Sequence, residues 1–80
     1  MEIRATELGN TRIRQKRYDE GTLRLVAEEG EELTVVCRCD RSHWLATIQE
    51  TEGGPLLTLV CHNCGSRFGL PYVGAIPGRP

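Results

Sequence analysis

From Gly21 onward, apolar and polar positions alternate with a period of two, the pattern of strands that bury one face. Thr22-Leu23-Arg24-Leu25-Val26 alternates, Glu28-Glu29-Gly30-Glu31 reads as a turn, and Leu33-Thr34-Val35-Val36-Cys37 alternates again. This predicts a hairpin with Leu33, Val35 and Cys37 on one face, Cys37 lying where the second strand gives way to a tight turn. A second hairpin follows. His43-Trp44-Leu45-Ala46-Thr47-Ile48-Gln49 sets Trp44, Ala46 and Ile48 on one side, the breaker Glu52-Gly53-Gly54-Pro55 reverses the chain, and Leu56-Leu57-Thr58-Leu59-Val60-Cys61 returns. Ser66-Arg67-Phe68-Gly69-Leu70 is long enough for one further short strand. The core reading of Trp44 outweighs an exposed stacking role, because it falls on the apolar side of its strand.

The flanks lack this periodicity. Residues 1–20 are polar and poor in large apolar side chains, with Gly9-Asn10 as a turn signal, and read as a partly basic arm. Within it, Arg12-Ile13-Arg14-Gln15-Lys16-Arg17-Tyr18 suits either an edge strand or a helical turn formed on docking. Residues 71–80 are rich in Pro and Gly and cannot hold a regular helix. They read as a tail, from which Tyr72, Val73 and Ile76 can pack as an extended segment. The expected organisation is thus an arm at 1–20, a β domain at 21–70 and a tail at 71–80.

Size makes a staple necessary. A chain of 80 residues, 39% hydrophobic and only 5% aromatic, buries a smaller share of its surface than a large domain does, and burial roughly balances conformational entropy. The four cysteines fall in two close pairs, Cys37-Arg38-Cys39 and Cys61-His62-Asn63-Cys64-Gly65, separated by 21 residues. Antiparallel pairing of the second hairpin brings Cys39 and Cys61 together at its open end. Two chelating turns then offer a tetrahedral four-thiolate site, and zinc bound there contributes folding free energy directly, about 10 to 16 kcal/mol in small zinc-finger peptides.

Cys61-x-x-Cys64-Gly65 has the spacing at which a tight turn aims both sulfurs at one ion, and glycine suits the left-handed backbone that such a turn needs. Cys37-x-Cys39 chelates differently, because residues two apart on an extended strand face the same side. A second ligand set, Cys39, His43, Cys61 and Cys64, leaves Cys37 as a buried thiol. The four-cysteine set is favoured, with His62 facing solvent or a partner.

Met1-Glu2-Ile3-Arg4-Ala5-Thr6-Glu7 shows no apolar run of the kind that heads an export signal, which predicts a cytoplasmic protein. Disulfides are uncommon in that compartment, so metal is favoured over two cystine bridges. No apolar run approaches the roughly 20 residues that span a bilayer.

A strand, a cysteine pair, a hairpin with a Gly-Gly-Pro turn and then Cys-His-Asn-Cys-Gly resembles a zinc ribbon, over roughly residues 33–70. The resemblance implies a small mainly-β zinc-bound domain of antiparallel hairpins, used as a rigid grip on nucleic acid or protein. Zinc ribbons recur in transcription factors, RNA polymerase subunits, ribosomal proteins, primases and topoisomerases. The one-residue spacing of Cys37-x-Cys39 departs from the usual two.

Net charge is -1 and the sequence pI about 6.1, so the chain as a whole is not a basic phosphate binder. The charges are nevertheless segregated. Arg12, Arg14, Lys16 and Arg17 form a basic cluster, and Glu28, Glu29, Glu31 and Glu32 an acidic one. The expected function is a non-enzymatic zinc-binding adaptor contacting nucleic acid or a nucleic-acid machine such as RNA polymerase. Its candidate contacts are Arg12, Arg14, Lys16 and Arg17 on the arm, Arg38 and Arg41 beside the first cysteine pair, and His62, Asn63 and Arg67 around the second. The alternative is a zinc-stabilised protein-interaction module that touches no nucleic acid and uses the acidic turn and the tail. Catalysis is not expected, because four thiolates close the metal's coordination and no hydrolase, P-loop or zinc-protease motif is present.

Overall fold

The computed structural model of the chain describes residues 1–74. Seven strands and one short 3-10 turn make up the regular structure: β1 (Glu2–Arg4), the 3-10 turn Ala5–Glu7, β2 (Ile13–Asp19), β3 (Thr22–Ala27), β4 (Glu32–Val36), β5 (Trp44–Thr51), β6 (Gly54–Cys61) and β7 (Arg67–Pro71). They form a four-stranded sheet in the order β1-β4-β3-β2 and a three-stranded sheet in the order β5-β6-β7. The domain is therefore mainly β, with no α-helix among the described residues.

Both expected hairpins are present. β3 and β4 pair antiparallel with Leu25 opposite Leu33, and β5 and β6 pair along their whole length, from Trp44 opposite Cys61 to Thr51 opposite Gly54. The reversal between β5 and β6 is tighter than Glu52–Pro55, because Gly54, at φ 110, and Pro55 already belong to β6. Alternation puts Leu33, Val35 and Cys37 from the first sheet against Trp44, Ala46, Leu57, Leu59 and Cys61 from the second. Trp44 is a core residue, its indole N–H donating to the Val35 carbonyl at 3.0 Å.

The arm expected at 1–20 is instead woven into the first sheet. β1 lies parallel to β4, with Ile3 beside Val35, and β2 forms the opposite edge against β3. Of the two conformations open to Arg12–Tyr18, the edge strand is the one adopted. What anchors the segment is a sparse set of apolar side chains: Ala5, Leu8 and Ile13 are buried and Ile3 is half-buried against the core. Ile3, Ala5, Leu8 and Ile13 are spaced by two, three and five residues, so as a set they hold neither the period of two nor that of 3.6.

The start of the tail is also fixed. Tyr72 is buried and bridges Ile13 in parallel, and the Val73 amide donates to the Ile13 carbonyl at 2.7 Å. The second sheet is thereby joined to the edge of the first. Ile76 and the rest of 75–80 lie outside the described residues.

Candidate metal centre

The cysteine end of the domain is built where β4 stops, β5 begins and β6 turns into β7. The four cysteine sulfurs of Cys37, Cys39, Cys61 and Cys64 all lie within 4.8 Å of one another. Across the two pairs, Cys37 Sγ is 3.5 Å from Cys64 Sγ and Cys39 Sγ is 3.6 Å from Cys61 Sγ. These are non-bonded separations, far above the S–S bond length of about 2.05 Å. They match a different geometry. Four sulfurs at about 2.3 Å from a central zinc form a tetrahedron with edges of about 3.8 Å. Neither His43 nor His62 joins the cluster, so the four-sulfur set is the one the fold assembles.

The unequal cysteine spacings have a backbone explanation. In the first turn the Asp40 amide donates to the Cys37 carbonyl at 2.8 Å, and the Cys37 amide to the Arg41 carbonyl at 2.7 Å. In the second, the Gly65 amide donates to the Cys61 carbonyl at 2.9 Å, and the Cys61 amide to the Ser66 carbonyl at 2.9 Å. The two turns are the same device, the second being one residue longer, and C-x-C against C-x-x-C is that difference. Each closes on a left-handed residue directly after its second cysteine: Asp40 at φ 66 and Gly65 at φ 76. Glycine adopts this conformation freely, and Asp is among the few other residues that tolerate it. A further bond, from the His62 amide to the His43 carbonyl at 3.0 Å, ties the second turn to the residue before β5.

Burial and hydrogen bonding treat the four sulfurs unequally. Cys37 and Cys61 are buried, Cys39 is half-buried and Cys64 is exposed. Burial pushes the Cys37 thiol up to about 12, whereas a hydrogen bond with the Ser66 hydroxyl, 3.1 Å from Cys64 Sγ, brings Cys64 down to about 6. The Asn63 side chain lowers Cys39 in the same way, by hydrogen bonding to its sulfur. Cys37 therefore needs a cation beside it to exist as a thiolate, and a bound metal is such a cation. This donor set can hold a metal ion, and its all-sulfur chemistry and tetrahedral spacing fit zinc.

The remaining candidate residues divide sharply. Arg38, Arg41, His62 and Arg67 are exposed on or beside the cysteine turns, and none of them takes part in an ion pair among the described residues. Asn63, also exposed on its turn, hydrogen-bonds the Cys39 sulfur. Three of the four residues of the cluster at β2 are engaged elsewhere. Arg12 pairs with Glu28 at 2.7 Å, Arg17 pairs with Glu32, and the Lys16 ammonium lies 5.9 Å from the Tyr18 ring centroid. Arg14 is exposed on the same strand, and its carbonyl backs onto Gly74.

Two supporting residues escape a reading of the sequence. Arg4 donates to the Cys37 carbonyl at 3.1 Å and pairs with Asp40 at 2.7 Å, clamping the first turn from β1. Ser66 holds Cys64. Ser66 had a local signal, two residues after a cysteine, whereas Arg4 had none, because its contact depends on the parallel pairing of β1 with β4.

Comparison with protein-family models, curated proteins and solved structures finds no match. The geometry therefore carries the assignment: a small β domain with a four-cysteine cluster, compatible with a zinc-ribbon-like domain. No helix among the described residues is long and apolar enough to cross a membrane.

Proposed function

We propose that the protein is a zinc-organised adaptor whose cysteine-turn end contacts nucleic acid or a nucleic-acid-processing complex. The observation that carries this reading is the division of its arginines. Arg12, Arg17 and Arg24 are held by carboxylates of the first sheet and its turns, while among the described residues Arg38, Arg41 and Arg67, exposed around the metal turns, make no ion pair; Arg14 on β2 also makes none but stands alone there. Arginine presents a planar fork that matches phosphate oxygens, and the metal fixes the turns that carry it. His62 adds a further exposed donor on the same end. Relative to the sequence reading, which joined Arg12, Arg14, Lys16 and Arg17 to the residues around the cysteine pairs, the contact surface narrows to the metal end.

The role is one of binding rather than catalysis, since four sulfurs fill a tetrahedral metal and leave no position for water or substrate. A protein-only contact is the second reading, supported by the near-neutral net charge of -1.

Anisotropy titrations of the zinc-loaded protein with single-stranded and duplex oligonucleotides over a salt series separate the two. Phosphate binding through these arginines gives a steep salt dependence, and Arg67→Ala lowers the slope by about one. Binding that ignores salt, or that survives Arg38→Glu with Arg67→Glu unchanged, defeats the nucleic-acid reading.

A further inference from the structure

At the end of β4 remote from the cysteines, the structure holds a second feature that the metal centre does not use. A cavity of about 390 Å³ opens between the start of β1 and the β3–β4 turn. Its floor is apolar: Leu33 is buried, and Ile3 and Ala27 are half-buried against the core. Its rim carries three carboxylates, Glu28, Glu29 and Glu31, against two cations, Arg12 and the Met1 ammonium, the latter donating to the Glu32 carbonyl at 3.2 Å. Arg12 neutralises Glu28, but the carboxylates of Glu29 and Glu31 make no ion pair among the described residues. From Glu31 to Cys37 the chain advances about 20 Å at the usual strand rise, which keeps this groove clear of the metal turns.

We propose that this groove is a docking site for an extended basic segment of a partner protein, one that places a large aliphatic side chain on Ile3, Ala27 and Leu33 and flanks it with lysine or arginine. Each part of the groove selects one part of that ligand. The apolar floor gains free energy only by covering non-polar surface, and its size suits one or two aliphatic side chains. The unpaired glutamates disfavour an anionic occupant, nucleic acid included, and attract a cationic one. The protein is thereby two-ended, with an arginine-bearing metal end and an acidic groove, and this inference stands independently of what the metal end binds.

The test uses the full zinc-loaded chain, isotopically labelled, and a short synthetic peptide alternating lysine and leucine. Peptides alternating lysine with serine and glutamate with leucine serve as controls. The lysine–leucine peptide is expected to bind saturably and to shift the amide signals of Ile3, Ala27, Glu29, Glu31 and Leu33, leaving Cys37–Arg41 and Cys61–Ser66 unmoved. Reversal of two rim charges, Glu29→Lys with Glu31→Lys, weakens binding about tenfold or more while the spectrum of the folded protein persists. The serine control binds at least as much more weakly. Equal binding of the serine control, shifts centred elsewhere, undiminished binding by the charge-reversed protein, or the absence of saturable binding each overturns the proposal. So does calcium chloride alone, if it saturates the same glutamates and excludes the peptide, which makes the feature a cation site.

Discussion

The Trp44 indole N–H and the Val35 carbonyl meet at 3.0 Å inside the core, and this bond fastens β5 of one sheet to β4 of the other. The same ring meets Phe68 of β7 edge-on, with centroids 5.8 Å apart. One side chain thus touches both sheets just above the sulfurs. Trp44→Phe keeps an aromatic ring on the apolar face but leaves a buried carbonyl without its donor. The expected loss is about 2 to 3 kcal/mol, measured by urea unfolding of the metal-loaded protein followed by circular dichroism. Unchanged stability would mean that the Val35 carbonyl finds another partner at no cost.

Removing the metal is expected to remove the fold. The four sulfurs lie at the junction of both sheets, and the protein is small enough that its apolar core alone gives little surplus stability. A chelator should abolish the cooperative thermal transition, and zinc should restore it at one ion per chain by elemental analysis. Cys64→Ser should do the same although Cys64 is exposed, because its role lies in the metal and not in packing. A Cys64→Ser protein that still unfolds cooperatively would contradict a structural metal.

Metal affinity is expected to rise with pH. Burial holds Cys37 protonated, with its ionisation near 12, so a metal entering the site must displace that proton. Lowering the pH through about 6 also reprotonates Cys64 and adds to the protons displaced. Zinc competition titrations from about pH 6 to pH 8 should show affinity increasing throughout, with proton release visible in a weakly buffered indicator solution. A pH-independent affinity would show that the thiolates pre-exist in the metal-free protein.

The two cysteine turns make a paired prediction. A Cβ at Gly65 meets nothing within 4 Å, so Gly65→Ala costs only the left-handed backbone at φ 76, about 1 to 2 kcal/mol. Asp40→Gly at the corresponding position of the first turn relaxes the backbone but gives up the exposed pair with Arg4, worth under about 1 kcal/mol. Its net effect is expected near zero. Thermal unfolding of both variants in excess zinc checks the contrast; equal losses would mean that the two turns are not the same device.

How far the sequence speaks depends on whether a signal is local. The hairpins were legible because Leu33, Val35 and Cys37, and then Trp44, Ala46 and Ile48, alternate within single strands. The cysteine cluster followed from that pairing, since β5 and β6 bring Trp44 opposite Cys61. Residues 1–20 were illegible for a complementary reason. Ile3, Leu8 and Ile13 each anchor a different short element, so no window contains two of them on one face. The parallel pairing of β1 with β4 joins residues more than thirty positions apart, and Arg4 reaches the cysteine turn only through it. Ion pairing misled in the same way: Arg12 and Arg17 look like a free basic patch until the sheet sets them beside Glu28 and Glu32.

Tyr18 shows what such a long-range contact contributes. Its hydroxyl donates to the Trp44 carbonyl at 3.0 Å and accepts from the Ala46 amide at 3.1 Å, standing in for a neighbouring strand at the outer edge of β5. An unpaired edge is a template for pairing with another chain, and β5 carries Leu45 half-exposed beside it. Tyr18→Phe leaves the ring and its packing in place but frees both backbone groups to water, at an expected cost of about 1 kcal/mol because the site is only partly buried. The sharper signature is local. Hydrogen exchange at the Ala46 amide should accelerate well beyond what the change in global stability allows, while Thr58 and Leu59 amides on the central strand β6 follow global unfolding. Ala46 exchange that merely tracks the rest of the sheet would show that the hydroxyl is not what guards this edge.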